Sequence, residues 1–245
     1  MSPKVLVVGC GITGSAVNRY LTTLFPALKP SYTFWEKSSG VGGRMITNYL
    51  ETAKIDSKAS SELQYLAPHC DMGAQYLTRS SDNAESLIYS LLNDAGVIAP
   101  IVDNTAISGM RPEHLIKTHY VASNGLSSVI DYLSKGSNSD IENVFSYDTT
   151  LESITVKYCA EKNSNIYAAV GSKLGSKVED SFDTVILTLP APQLLALEGD
   201  VVGMLGNDFR KQLGNVVYSS RFVFIALSFS KRLFRFLTCE THSNR

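Results

Sequence analysis

The chain of 245 residues is long enough for one large domain, or two interleaved ones, with a sizeable core. Its 22 basic and 23 acidic side chains nearly balance, so no net field favours nucleic acid or an acidic membrane surface. Hydrophobic residues make up 44% and charged residues 18%, a composition typical of a soluble globular protein.

Neither a metal site nor a membrane span is predicted. The cysteines at 10, 70, 159 and 239 and the histidines at 69, 114, 119 and 242 are too scattered for metal-ligand spacing. Free thiols fit a reducing compartment, and the apolar start at 5–8 is too short for a signal sequence. Because no apolar run approaches spanning length, we expect a cytoplasmic protein.

The first predicted elements are a strand, a glycine turn, a helix and a second strand. Lys4–Val8 is typical of a buried parallel strand, and the helix that begins at Ile12 is closed by Pro26 and Pro30. Tyr32–Trp35 is predicted as the second strand, which completes a βαβ unit. Two adjacent stripes of the helix are apolar: Ile12, Ala16 and Tyr20, then Val17, Leu21 and Leu24.

Further along the chain, the pattern predicts one long loop, two helices and five strands. The polar loop covers 49–68. One helix covers about 83–94, with Leu87, Leu91 and Leu92 inward, and the other follows Gly125 and ends at about Leu133. The predicted strands are 119–122, 151–158, 165–170, 182–189 and 221–229, of which the second and third form a β-meander.

Residues 9–14, Gly-Cys-Gly-Ile-Thr-Gly, match the GxGxxG pattern of a dinucleotide-binding turn. Gly9 permits the sharp turn, Gly11 lets a pyrophosphate approach the backbone, and Gly14 lets the helix pack on the strand. The helix N-terminus offers free N–H groups to the phosphates. Glu36 ends the next strand, where its carboxylate would accept hydrogen bonds from adenosine ribose hydroxyls; a structural turn with a surface glutamate is the alternative.

A second glycine turn distinguishes a flavin cofactor from a nicotinamide one. Gly42, Gly43 and Arg44 follow Glu36 closely, and a cofactor with two nucleotides needs the chain to approach its pyrophosphate again. Arg44 would neutralise phosphate charge or face the electron-rich edge of the flavin; a solvated arginine is the alternative.

A third small-residue motif lies at 73–76. Gly73 and Ala74 would let a flat ring system lie close to the backbone, with polar and aromatic contacts from Gln75 and Tyr76. Alone, this pair is only a tight packing point. Beside the two earlier turns, it supports FAD as the cofactor.

Six segments resemble the renalase family, within the wider glucose-inhibited-division and amine-oxidase class of FAD proteins. They are VLVVGCGITGS, SGVGGRMIT, DMGAQYLT, YVASNGLSSVIDYL, VILTLPAPQLLALEGD and YSSRFVFIALSF, and they run in the family's order over about residues 4–229. The resemblance implies an α/β fold with a Rossmann-type FAD-binding domain and an interleaved antiparallel-sheet substrate domain. We expect the FAD domain at 1–78 and 119–189, the substrate domain at 79–118 and 190–237, and a divergent tail at 238–245.

The resemblance also implies an activity. Renalases are FAD-dependent oxidases that convert the 2- and 6-dihydro isomers of NAD(P)H to NAD(P)+ and reduce O2 to H2O2. By the same match, the flavin site would include Thr13, Arg44, Gln75 and Tyr76. Gly9, Gly11, Gly14 and Glu36 would hold the ADP half.

No acid/base pair is predicted, because loss of hydride turns a dihydropyridine into an aromatic pyridinium and the protein mainly orients two stacked rings. His114, His119 and Asp131 are interpreted as structural or surface residues.

The sequence departs from the family towards its end. Residues 230–245 do not resemble the late Gly-Asp segment that contacts the flavin in renalases. We therefore expect a C-terminally truncated chain that binds FAD weakly and turns over slowly or not at all. The alternatives are an amine oxidase of the same superfamily, or a non-catalytic truncated isoform that acts through protein contacts. We expect a monomer, and an extracellular location is the alternative to a cytoplasmic one.

Overall fold

A computed structural model describes residues 3–24, 31–49, 69–79, 87–103, 117–135 and 143–219. The predicted strand at 221–229, residues 50–68 of the predicted loop, and the tail at 238–245 lie outside the described residues. So do His114 and the start of the helix predicted at about Asn83.

Strands predominate among the elements. In chain order the strands are β1 (Lys4–Val8), β2 (Ser31–Trp35), β3 (Thr47–Tyr49), β4 (His69–Asp71), β5 (Leu77–Arg79), β6 (Ile98–Pro100), β7 (Thr118–Ala122), β8 (Asn143–Ser146), β9 (Thr149–Cys159), β10 (Ser164–Lys173), β11 (Ser176–Phe182), β12 (Thr184–Leu187) and β13 (Glu198–Gly199). The helices are α1 (Ile12–Leu24), α2 (Leu87–Asp94), α3 (Ser127–Ser134), α4 (Ala191–Leu195), α5 (Val201–Met204) and α6 (Asn207–Gly214).

A parallel sheet forms the centre of the fold. Its strand order is β12-β1-β2-β8, and every neighbouring pair is parallel. A second sheet has the order β11-β10-β9-β13, in which β9, β10 and β11 form an antiparallel meander. The predicted α/β fold and the meander are therefore confirmed.

Alternate side chains of β1 pack into different cores, as the two faces of a strand require. Leu6 and Val8 join Trp35 and Phe182 in the core between the parallel sheet and the meander. Val7 packs on the opposite face with Phe34, beneath α1. Full burial of each such apolar side chain contributes about 1.5–3 kcal/mol. Together these contacts explain why 4–8 is an almost unbroken apolar run.

The apolar stripes predicted for α1 describe its buried face only in part. Val17 and Leu21 pack against the core under the parallel sheet, but Ile12 is 37% and Leu24 54% exposed. The buried positions of α1 are instead the small and polar ones: Gly14, Ser15, Asn18 and Thr22. Because the Asn18 side-chain amide donates to the Ser134 carbonyl at 2.6 Å, α1 meets the C-terminus of α3 through polar contacts.

The strand predicted at 182–189 is two elements in different sheets. Phe182 ends the antiparallel strand β11, and β12 begins at Thr184 as a neighbour of β1. Asp183 makes the junction, since its N–H donates to the Lys4 carbonyl at 2.9 Å and its carboxylate accepts from the Lys4 N–H at 2.8 Å. Strand β11 was not predicted, because most of its side chains face solvent and carry no apolar alternation.

Two smaller sheets and α2 and α3 complete the described fold. Strands β5, β7 and β6 form an antiparallel sheet in that order, and β3 pairs with β4. Leu92 of α2 and Leu126, Ile130 and Leu133 at or within α3 share one buried core with Tyr120. Leu92 is thus inward, as predicted. The division into a cofactor domain and a substrate domain stays a prediction.

Candidate functional site

A cleft of about 820 Å³ opens at the carboxyl ends of β1 and β2. Its lining comes from the turn after β1, the residues after β2, the turn at 42–45, the start of β9 and the segment 188–198. β2 lies on one side of β1 and β12 on the other. In open α/β sheets, ligands bind beside such a central strand, where the connections diverge.

The first glycine turn leaves the cleft floor without side chains. A Cβ on Gly9, which has φ +97°, would lie 2.7 Å from the Thr188 hydroxyl oxygen, and a Cβ on Gly14 would lie 1.9 Å from the Gly9 carbonyl. A Cβ on Gly11 would meet only the Gly43 Cα, at 3.9 Å. Gly9 and Gly14 are therefore required by packing, whereas Gly11 keeps space open in the cleft.

The N-terminus of α1 faces the cleft through Ile12 and Thr13, both of which line it. The first intrahelical bond runs from the Ser15 N–H to the Gly11 carbonyl, at 2.9 Å. The first N–H groups of a helix have no partner within it and carry the positive end of the helix dipole. This end of the cleft thus suits an anion, as the sequence predicts.

Glu36 directly follows β2 and is 6% exposed. Its Oε2 accepts a 2.7 Å hydrogen bond from the Cys10 backbone N–H, and its Oε1 accepts one of 2.9 Å from the Ser38 N–H. These bonds fix the carboxylate at the cleft wall, and each oxygen retains acceptor capacity for a further donor. Burial, and secondarily the Glu36 charge, raises the pKa of the Cys10 thiol to about 12.

The second glycine turn lies against the first. The Gly42 N–H donates to the Cys10 carbonyl at 3.1 Å, and a Cβ on Gly43, at φ +60°, would lie 3.2 Å from the Gly11 Cα. Arg44 is exposed and lines the cleft beside them. The structure therefore brings the two predicted glycine turns, Glu36 and Arg44 together around one cavity.

The motif at 73–76 lies behind the second glycine turn and does not line this cleft. A Cβ on Gly73 would lie 2.1 Å from the Arg44 carbonyl, to which the Ala74 N–H donates at 3.1 Å. Gln75 is exposed, and the Tyr76 ring packs edge-on against His119 at 5.1 Å. Contact between these four residues and a flavin ring stays a prediction.

Thr188 belongs to the site but was not predicted. Its hydroxyl lies 2.8 Å from the Val8 carbonyl and 3.0 Å from the Gly9 carbonyl, to which it donates. It also lines the cleft. In the sequence, Thr188 is only a threonine directly after a buried strand. Its place in the site follows from the pairing of β12 with β1, which cannot be read from the neighbouring residues.

Two of the residues interpreted as structural are described. His119 is completely buried, with Nδ1 3.0 Å from the Thr78 hydroxyl oxygen, and Asp131 is an exposed residue of α3.

Within the described ranges, no group of three or more His, Cys, Asp or Glu side chains could hold a metal ion. No helix in those ranges is both long and apolar enough to cross a membrane.

The fold and the cleft define an α/β protein with a Rossmann-type parallel sheet. Two solved structures share this fold. The "Putative protoporphyrinogen oxidase" of Exiguobacterium sp. 255-15 aligns with a TM-score of 0.51 and 13% identity, over 80% of this chain and 61% of that one. The PF1083 protein of Pyrococcus furiosus aligns with a TM-score of 0.52 and 14% identity, over 88% and 66%.

The relationship in sequence is more specific. This chain is 35% identical to renalase of Mus musculus over an alignment of 227 residues, and the match covers 89% of this chain and 56% of that protein. The resemblance to renalases is thereby confirmed, and the chain spans little more than half the length of the mouse protein. No protein-family profile matches the chain.

Proposed function

We propose that this chain binds FAD and is an oxidoreductase of the renalase type. Its reaction is the oxidation of 2- and 6-dihydro isomers of NAD(P)H to NAD(P)+, with O2 reduced to H2O2. The observation that carries the proposal is the cleft in which the Gly11 and Gly43 backbones face each other beside the fixed Glu36 carboxylate.

The residues around the cleft fit an adenine dinucleotide. The cleft volume of about 820 Å³ lies within the usual range for a small-molecule site. Gly11, Gly43 and the first turn of α1 would hold the pyrophosphate, because backbone and N–H groups are accessible there. Glu36 would accept bonds from ribose hydroxyls, and the Arg44 guanidinium would offset phosphate charge.

The chain's own contribution to the reaction is binding and orientation. When bound, FAD supplies the hydride acceptor and passes the electrons to O2. Because the oxidised nicotinamide product is aromatic, the substrate itself supplies driving force and no protein base is required. At the floor of the cleft Gly9 packs against Thr188, and this surface would cover one side of a bound cofactor.

The proposal is tested by titration of the purified full chain with FAD. Trp35, the one tryptophan of the sequence, lines the cleft, so quenching of its emission reports occupancy even where binding is weak. We expect saturable quenching by FAD and by AMP, and release of H2O2 with 6-dihydro-NAD.

The results separate this proposal from its alternatives. H2O2 release with a primary amine or polyamine, and none with the dihydronicotinamides, would replace the proposed substrate by an amine. Folded protein without quenching at millimolar FAD would overturn the cofactor and favour a non-catalytic chain.

A further inference from the structure

A closed set of hydrogen bonds lies directly behind the second glycine turn. The Asp71 carboxylate oxygen Oδ1 accepts from the Thr47 hydroxyl at 2.6 Å and from the Leu126 N–H at 2.8 Å. The Ser127 N–H donates to the Thr47 hydroxyl oxygen at 2.9 Å, and the Thr47 N–H donates to the Ser127 hydroxyl oxygen at 2.6 Å. We call Thr47, Asp71 and Ser127 the polar clamp. It joins β3, β4 and the start of α3, although Thr47 and Ser127 are 80 residues apart in the chain.

The clamp holds Thr47 in one position. This side chain is buried, and its donors and acceptors are satisfied by Asp71 and Ser127 together. Gly125, at φ +76°, completes the enclosure, since a Cβ there would lie 2.3 Å from the Thr47 methyl carbon. A buried polar group with all its bonds made is rigid, because any rearrangement leaves a donor or acceptor unpaired.

The clamp is connected to the cleft through the backbone of residues 44–46. The Ser127 hydroxyl donates to the Met45 carbonyl at 3.2 Å. The Met72 N–H donates to the Ile46 carbonyl at 2.8 Å, and the Ala74 N–H to the Arg44 carbonyl at 3.1 Å. Arg44 and Met45 line the cleft, whereas none of the three clamp residues does.

We propose that Asp71 is a positioning residue which, through Thr47 and Ser127, sets the Arg44 turn in the geometry that binds the cofactor's pyrophosphate. This inference rests on the proposed function. It gives Asp71, the first residue of the segment DMGAQYLT, a role that needs no contact with the flavin. The carboxylate acts from the far side of the turn, so it shapes the site without entering it.

The test is a double-mutant cycle on FAD affinity in the full-length chain. We expect Asp71→Ala and Arg44→Ala each to weaken FAD binding about tenfold, and the double variant to be little weaker than either. Affinity for AMP should change by less than about twofold in Asp71→Ala, because Glu36 and Gly11 are untouched. If FAD binding is instead about a hundredfold weaker in the double variant, the two effects are independent. Asp71 then does not act through Arg44, and the inference is overturned.

Two further variants separate positioning from loss of folding. Ser127→Ala removes the hydroxyl that joins Thr47 to Met45 but keeps the backbone bond to Thr47, and it should weaken FAD binding while the chain stays folded. Val129→Ala, a buried truncation in the same helix, should lower the melting temperature and leave FAD affinity unchanged. If Val129→Ala and Ser127→Ala lower the stability equally and also weaken FAD binding equally, the clamp only supports the fold, and the inference is overturned. Absence of FAD binding by the unsubstituted chain would instead overturn the proposed function, and this inference with it.

Discussion

The backbone N–H of Cys10 donates a 2.7 Å hydrogen bond to the Glu36 carboxylate and so ties the first glycine turn to the end of β2. The residue that is expected to recognise a ribose thus also fixes the turn that is expected to hold the pyrophosphate. A change at Glu36 should therefore affect folding and nucleotide binding together.

Glu36→Gln should lower both stability and affinity for AMP. The amide has one acceptor where the carboxylate has two, so an NH2 group must face the N–H of Cys10 or Ser38. We expect a loss of about 1–3 kcal/mol in the free energy of unfolding, measured by urea denaturation, and AMP binding weakened about tenfold. Glu152→Gln, at an exposed position on the same cleft, is the control and should change neither. Unchanged AMP affinity in Glu36→Gln would contradict the ribose contact.

The Cys10 thiol should make the stability of the protein depend on pH above 9. In the unfolded chain the thiol ionises near its ordinary pKa of 9.0, whereas burial raises the pKa in the folded chain to about 12. Between these values the unfolded state binds fewer protons, so stability falls as pH rises, by about 1.4 kcal/mol per pH unit. Urea denaturation at several pH values should show this slope reduced in Cys10→Ala.

The matched control for that measurement is Cys159→Ala, which removes a partly exposed thiol in place of the buried one. Burial also raises the pKa of Tyr32, so Tyr32 contributes to the pH dependence of stability in every variant. The readout is therefore the difference in slope between each variant and its parent. Equal slopes in Cys10→Ala and its parent would show that the thiol is not protected by burial.

Gly11→Ala should separate nucleotide binding from folding. The added methyl meets only the Gly43 Cα at 3.9 Å, which is ordinary contact, so the melting temperature should change little. In the cleft the methyl occupies space that the pyrophosphate needs, and we expect FAD affinity to fall roughly tenfold, the equivalent of one charge-assisted hydrogen bond. Gly40→Ala is the control, since a Cβ there meets nothing within 4 Å. Equal FAD affinity in the two variants would place the pyrophosphate elsewhere.

Thr188→Val should loosen the first glycine turn. The substitution keeps the shape of the side chain but removes the hydroxyl that donates to the Val8 and Gly9 carbonyls. We expect a loss of about 1–2 kcal/mol in the free energy of unfolding. Thr184→Val, at an exposed position at the start of β12, should cost less, and the comparison by thermal denaturation decides whether the turn depends on the Thr188 hydroxyl.

The parts of the site that could be predicted from sequence are those determined within a few residues. The path from Lys4 through the glycine turn to Glu36 follows from an apolar run, three glycines and one carboxylate in sequence order. The need for glycine at position 73 could not be predicted in this way. It arises because the Arg44 carbonyl lies where a Cβ would be, and the pairing of β3 with β4 brings the two residues together. A small residue looks the same in sequence whether a ligand or a carbonyl lies against it.

The buried face of α1 shows the same limit. Apolar periodicity predicts the buried face of a helix from the positions of its apolar side chains. It therefore misses Asn18, a polar side chain that is buried where it bonds to the end of α3. Strand β11 was not predicted because most of its side chains face water, and such a strand has no apolar alternation in its sequence.

The placement of β12 beside β1 has a consequence for how the protein is made. The Thr188 hydroxyl and the Val8 carbonyl are 180 residues apart in the chain, yet they close the same turn. Contacts of such high sequence separation form late and slow folding, because the loop-closure entropy is lost before the contact is gained. During synthesis, the glycine turn therefore leaves the ribosome about 180 residues before Thr188 does, and its floor can form only afterwards.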